Sequence, residues 1–304
     1  MDSNEIDELV HLYVDGAFNR RELWKRVTSV TGSAAATTAA LLSLGISETA
    51  SAQTANTCPV DVRVPADAPD VEGVFTDFPG DAGKLFGYLA LPRKPFTAQI
   101  PAIVVIHENR GLNDHIKDVT RRFARAGYVA LGVDLLSRQG GTDQFPDPAD
   151  AARAYNNVTA DGALADLKSG VAYLRTLGIV KASRVGCIGF CAGGGHSFNL
   201  AVSQRDLTAA VIYYGAPPTP LDLLDNMNAD LLMHYAQLDK TFTSRVPATV
   251  TALLDKNKPF SLHIYEGVGH AFNNDTGAGY NAAVACEAWG KTMDFYARTL
   301  RKPD

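Results

Sequence analysis

The stretch "RVGCIGFCAGGGHSFNLAV", residues 184–202, decides how the chain is read. An apolar run leads into Cys191, which sits among small residues, and a helix-forming segment follows. This is the pattern of a strand, a tight turn bearing a nucleophile, and a helix, G-x-Cys-x-G in outline. The physical requirement is narrow. A nucleophile on such a turn takes strained backbone angles, so its neighbours must be small; Gly189, Ala192 and Gly193 meet that need. A helix starting at Ala192 would aim its first amides and its positive end at the thiol, favouring a thiolate and later an oxyanion. Out of this context a cysteine is more often plain core packing. A redox pair with Cys187 fails on reach. Four residues of strand separate the two Cα atoms by roughly 10–13 Å, too far for a disulfide.

Working outward, the body alternates strand-like and helix-like segments. "GVFTDFP" and "LFGYLALP" read as a hairpin turned by "GDAGK". "PAIVVIHE" (101–108) and "YVALGVDLL" are continuous apolar runs, as expected of strands buried on both faces. "LTAAVIYYG", "DLLMHYAQLD" and "PFSLHIYEG" supply further strands, with helices expected at 192–204, 244–256 and 281–300. Strands separated by helices of this length give a mostly parallel sheet covered on both faces. No linker divides the body, so residues 53–304 read as one α/β domain.

In an open parallel sheet, chemistry collects at the carboxyl ends of the strands. Glu108, Cys191, Asp239 and His270 all fall at such ends. Their order matters more than the elbow alone: nucleophile 191, acid 239, base 270 is the α/β-hydrolase order. His270, in "YEGVGHAFNN", can accept the thiol proton and return it to a leaving group, while Asp239, in "HYAQLDKTF", fixes its tautomer. The plainer readings are a loop histidine and a helix-capping aspartate.

"HENRGLNDHIKDVTRRFARAGYVALGVDLLSRQGGT", "GFCAGGG", "YYG", "LDKTF" and "GHAFNNDTGAGYNAAVACEAWGKTMDFY" together resemble the dienelactone hydrolase family of α/β-hydrolases, over roughly residues 72–300. The resemblance implies a Cys191–His270–Asp239 triad and an oxyanion hole made by the amides of Asn109 and Ala192. It implies that Glu108 contacts the resting thiol and takes its proton when substrate arrives. It places Tyr155, in "RAYNN", and Tyr214, in "YYG", at the substrate pocket. The chain also departs from the family pattern. Dienelactone-cleaving members hold the substrate carboxylate with two arginines. Here Asn273 and Asn274 stand where one is expected, and Arg153 is near the other but shifted in register; Arg153 and Asn273 join Tyr155 and Tyr214 as the substrate-binding candidates. A bidentate carboxylate contact needs a guanidinium, so neutral esters and lactones are expected to be turned over at least as well as anionic dienelactone.

The first fifty residues differ in kind. "FNRRELWKR" (18–26) resembles a twin-arginine export signal; an uncharged Ala/Thr/Ser-rich stretch follows, then Ala50-Ser51-Ala52 as a small-x-small cleavage pattern. Residues 1–52 therefore read as an export leader, placing the mature enzyme in the periplasm or outside the cell. The alternative is a retained helix in a cytoplasmic protein, since Val10, Tyr13, Val14 and Phe18 recur at helical spacing. The uncharged stretch is too weakly apolar for a membrane span.

A net charge of −5 gives no footprint for nucleic acid. The four cysteines are too few and scattered for a disulfide framework, and no spacing reads as zinc. The reading is thus a hydrolase of a small ester or lactone with no cofactor and no metal; a homo-oligomer is left open. Its rivals are a binding or regulatory homologue without turnover and a thiol redox sensor that would carry a sulfenate at Cys191.

Overall fold

The computed structural model describes residues 3–14, 17–44, 46 and 63–302. Eight strands form one sheet: β1 (Val71–Gly80), β2 (Gly83–Pro92), β3 (Ile100–Ile106), β4 (Val129–Val133), β5 (Val180–Phe190), β6 (Ala209–Tyr213), β7 (Asp230–Ala236) and β8 (Phe260–Tyr265). Their spatial order is β1-β2-β4-β3-β5-β6-β7-β8. The strand β2 runs antiparallel to β1 and β4, and every pairing from β4 through β8 is parallel. The expected hairpin is present, with Gly80 opposite Gly83 and only Asp81 and Ala82 between them.

The central strands read as apolar runs because both faces are covered. Alternate residues serve opposite sides, as the pleat requires. On one face Val104, Ile106, Leu131, Val133, Ala210 and Ile212 pack in a core that includes Leu167, Val171, Phe198, Ala201 and Leu253. On the other, Ile103, Val105, Ala130, Ile188, Phe190 and Val211 join Ile116, Val119, Phe123, Phe295 and Tyr296.

The helices are α1 (Ser3–Val14), α2 (Arg20–Thr31), α3 (Ala34–Ser43), α4 (Asp114–Arg125), α5 (Pro148–Tyr155), α6 (Ala160–Thr176), α7 (Ala192–Ser203), α8 (Lys240–Thr243), α9 (Val246–Asp255) and α10 (Ala282–Leu300). Of the later helices, α4, α6, α7 and α10 pack on the sheet. The first three make a separate small cluster, with Ile6, Leu9, Leu23, Val27 and Leu41 at its centre. Asn19 caps α2 by accepting from the Glu22 amide at 3.0 Å, so Arg20 and Arg21 lie in the first turn of a folded helix.

Several contacts fasten this cluster to the body. Leu12 is buried with Ala149 and Ala152 of α5. Arg26 grips the carboxylate of Asp147 through both guanidinium nitrogens, at 3.1 and 2.9 Å. The Gly279 amide donates to the Val14 carbonyl at 3.2 Å. The cleavage pattern at residues 50–52 and Cys58 lie outside the described residues. Among the described residues no helix is long and apolar enough to cross a membrane. Cys187 and Cys191 are free thiols, and Cys286 is disulfide-bonded.

The crossing of β5 and α7 is the tightest point of the body. A Cβ on Gly189 would stand 1.8 Å from the Gly193 carbonyl oxygen, whereas one on Gly195 would meet nothing nearer than 3.6 Å. Gly189→Ala should therefore cost about 3 kcal/mol or more and lower Tm by at least about 6 °C. Gly195→Ala, in the same helix turn region, should leave Tm within about 3 °C or raise it. Thermal unfolding of the two variants side by side checks this; equal effects would contradict the close approach.

Candidate active site

The strand β5 enters α7 through a residue in an unusual conformation. Cys191 has φ 55° and ψ −118°, a region that non-glycine residues hold only when their surroundings enforce it. The enforcement is visible. The Cys191 amide donates to the Tyr213 carbonyl at 3.1 Å, and its carbonyl accepts from the amides of Gly194 and Gly195 at 3.0 and 3.3 Å. A Cβ on Gly193 would lie 2.4 Å from the carbonyl oxygens of Ile106 and His107. The N-terminus of α7 thus presses on the end of β3, and Glu108 and Asn109 leave the sheet beside it. The two segments whose amides were expected to hold an oxyanion, at Asn109 and Ala192, are neighbours.

Asp239 and His270 come together as their chain order suggested. His270 Nδ1 and Asp239 Oδ2 are 2.6 Å apart. Asp239 also caps α8: its Oδ1 accepts from the amides of Thr241 and Phe242, both at 3.2 Å. The cap thereby fixes the carboxylate that faces the imidazole. The His270 ring is held between Phe242, stacked at 5.2 Å, and Tyr214, edge-on at 4.8 Å. Tyr214 is itself fully buried with φ 41°, so it shapes the site by packing on the base.

Burial opposes a charged Cys191, but the imidazoles of His270 and His11 outweigh it and hold the thiol below its ordinary value. Cys187 is the opposite case. Burial pushes it up to about 12, and Ser197 Oγ lies 3.0 Å from its sulfur. It is a core residue, as the spacing argument required.

Glu108 sits in a buried polar network: its carboxylate accepts from Arg110 Nη2 at 2.9 Å and from Asn274 Nδ2 at 3.0 and 3.2 Å. His11 Nε2 lies 3.4 Å from Cys191 Sγ. Glu108 and Arg110 are both buried, so each neutralises the other. Arg110 went unremarked in the sequence, although it stands two residues after Glu108 in "HENRG". Asn274 spends its amide on Glu108, and Asn273 is buried beside it in the chain.

Tyr155 does reach the site. Its hydroxyl is 2.8 Å from His196 Nε2, and burial together with the charge of Cys191 pushes its phenol up. Arg153 does not reach it: that side chain is exposed and paired with Asp150 on its own helix. One residue missed entirely is His11. It arrives on α1 from 180 positions away, and no local pattern in the sequence marks it.

A mostly parallel sheet of this order, with a strained strand-to-helix turn at Cys191 after β5 and an Asp–His pair after β7 and β8, has the α/β-hydrolase fold. The model of the dienelactone hydrolase family matches residues 85–300. A Synechocystis protein named "Putative carboxymethylenebutenolidase" is 32% identical over 76% of this chain and 99% of its own length. A Bradyrhizobium protein named "Probable 2-oxo-3-(5-oxofuran-2-ylidene)propanoate lactonase" is 32% identical over 68% of this chain and 86% of its own. Among solved structures, a "Putative Dienelactone Hydrolase" from Klebsiella pneumoniae superposes with a TM-score of 0.69 at 28% identity, covering 75% of this chain and 99% of that one. The chain belongs to the dienelactone hydrolase family and is a hydrolase.

The two imidazoles beside the thiol set its titration. The pH midpoint for iodoacetamide labelling of Cys191 should lie below that of free cysteine in the same buffers. Below the midpoint the thiol is protonated and slow, and above it the rate levels off. His11→Ala should move the midpoint upward, because one favourable imidazole is lost. A midpoint at or above that of free cysteine would contradict the arrangement.

Proposed function

We propose that the chain cleaves a small carboxylic ester or lactone through a thioester at Cys191. The supporting observation is the convergence of Cys191, in its strained elbow, with a His270 whose Nδ1 is held 2.6 Å from Asp239. In this reading the Cys191 thiolate attacks the carbonyl carbon, and the oxyanion is received by the amides of Asn109 and Ala192. The C–O bond to the alcohol breaks as His270, protonated and oriented by Asp239, gives its proton to the leaving oxygen. Water then adds to the thioester with His270 as base, releasing the acid and restoring the thiol. The names of the Synechocystis and Bradyrhizobium relatives both point to lactones.

The charge of the substrate follows from what surrounds the pocket. Arg110 is paired with Glu108, Asn274 donates to the same carboxylate, and Arg153 faces solvent. None of the three offers an unpaired guanidinium to a substrate carboxylate. Such a charge-assisted contact is worth about 1.5–3 kcal/mol, roughly tenfold to more than a hundredfold in binding. Neutral esters and lactones should therefore give kcat/KM values at least equal to that of anionic dienelactone. A panel of neutral and anionic substrates, with Cys191→Ser as control, tests both halves. Cys191→Ser should lose most of the turnover while keeping its fold. Full turnover in that variant would move the nucleophile elsewhere, and strong preference for the anion in wild type would overturn the substrate reading.

We also propose that residues 1–52 are an export leader and that the body works outside the cytoplasm. The arginine pair at 20–21, the small-x-small pattern at 50–52 and a disulfide-bonded Cys286 support this reading. With α1 in place Cys191 is 4% exposed, so the leader's departure would also open the site. A reporter fused to residues 1–56 should reach the periplasm, and replacing Arg20 and Arg21 by lysine should stop it. A reporter that stays in the cytosol in both forms would favour a retained packing helix.

A further inference from the structure

The first helix carries to the nucleophile a side chain that the hydrolytic reaction does not use. His11 is half-buried on α1, directly before Leu12, whose burial against α5 fixes the helix in place. His11 Nε2 stands 3.4 Å from Cys191 Sγ, and the His11 and His270 rings are 5.0 Å apart at a tilt of 32°. One ligand atom from each of His11, Cys191 and His270 falls within 4.8 Å of the others. On His270 that atom is Nε2, because Nδ1 is committed to Asp239.

We propose that His11, Cys191 and His270 form a binding site for one divalent transition-metal ion, zinc by preference, which latches α1 across the nucleophile. Two imidazoles and a thiolate are a borderline-soft donor set that suits zinc and disfavours magnesium or calcium. Zinc–sulfur bonds of about 2.3 Å and zinc–nitrogen bonds of about 2.0–2.1 Å put tetrahedral ligand atoms roughly 3.5 Å apart. The three atoms need draw together by only about an ångström, and a water completes the fourth position. The carboxylate behind His270 is the second-shell partner that metal-bound histidines ordinarily have, fixing the tautomer that leaves Nε2 free to coordinate. Binding requires the thiolate and two neutral imidazoles, so it releases the thiol proton and weakens as the pH falls.

The consequence is a closed site. A metal-bound Cys191 cannot attack a carbonyl, and the ion joins the leader to the two residues the chemistry needs. Departure of α1 removes one of three protein ligands. Because His11 and Cys191 are 180 positions apart, no spacing rule for zinc ligands could reveal the site from the sequence.

The test uses the full chain, stripped of metal with a chelator and kept reduced and oxygen-free. Cobalt(II) chloride should bind one equivalent and give a thiolate-to-cobalt charge-transfer band together with tetrahedral d–d bands; zinc sulfate should displace it. Cys191→Ser should abolish the charge-transfer band. His11→Ala should weaken zinc binding at least about tenfold in competition with a chromophoric chelator, and His11→Cys should recover it, since a second thiolate can serve in its place. Near-UV circular dichroism confirms that each variant is folded. No charge-transfer band in wild type, a band that survives Cys191→Ser, or equal zinc affinity in His11→Ala would each overturn the proposal. These readouts do not depend on turnover. A chain that binds cobalt as described yet cleaves no ester overturns the catalytic reading alone.

Discussion

The close approach of β5, α7 and β3 is the constraint on which the site depends. Three backbone segments meet where only glycine fits, at Gly189 and Gly193, and the chain between them has no relaxed way to turn. Cys191 takes up that strain with φ 55° and ψ −118°. The same contact that enforces the elbow brings the end of β3 against the start of α7, so Cys191 and the segments at Asn109 and Ala192 are set by one packing event. Rigid elements on each side hold the geometry more closely than a loop could. The base and acid are placed separately, each on a loop after its own strand, and locked by the α8 cap and by the rings of Phe242 and Tyr214.

Much of this was legible in the sequence because its causes are local. Period-two alternation, continuous apolar runs and glycine spacing state the sheet and the elbow directly, and strand order then brings Asp239 and His270 to the same edge. What stayed hidden depends on which polar groups find one another across the fold. The donors that hold the Glu108 carboxylate were not legible, because a buried carboxylate takes the strongest donors within reach. Arg110, two residues on, and Asn274, from the loop that carries His270, supply them. Asn274 marks a lost arginine in the sequence. In the fold its position remains part of the Glu108 network, with Arg110 supplying the guanidinium from another direction. Arg153 shows the reverse: a residue near the right place in the chain, but on the outer side of its helix.

The N-terminal helices illustrate a further limit of local reading. Arg20 and Arg21 suggest an address, while Ile6, Leu9 and Leu12 belong to a folded packing surface. Both sets of residues lie on the same three-helix cluster, the arginines in the first turn of α2 and the apolar side chains on the packed faces. Hydrophobic burial at Leu12 and the bidentate Arg26–Asp147 pair hold the helix down, and His11 reaches the nucleophile as a result. A helix placed in this way sets the electrostatics of the thiol as well as its exposure.

The central chemical claim is that the acyl group passes through Cys191 sulfur. The most direct measurement is rapid-quench mass spectrometry of the chain turning over a slow neutral ester, followed by peptide mapping. The expected result is one acyl mass on the peptide bearing Cys191, removed by neutral hydroxylamine as a thioester is. An acyl mass on a different residue, or steady turnover with an unmodified Cys191 that an alkylating agent does not stop, would contradict it.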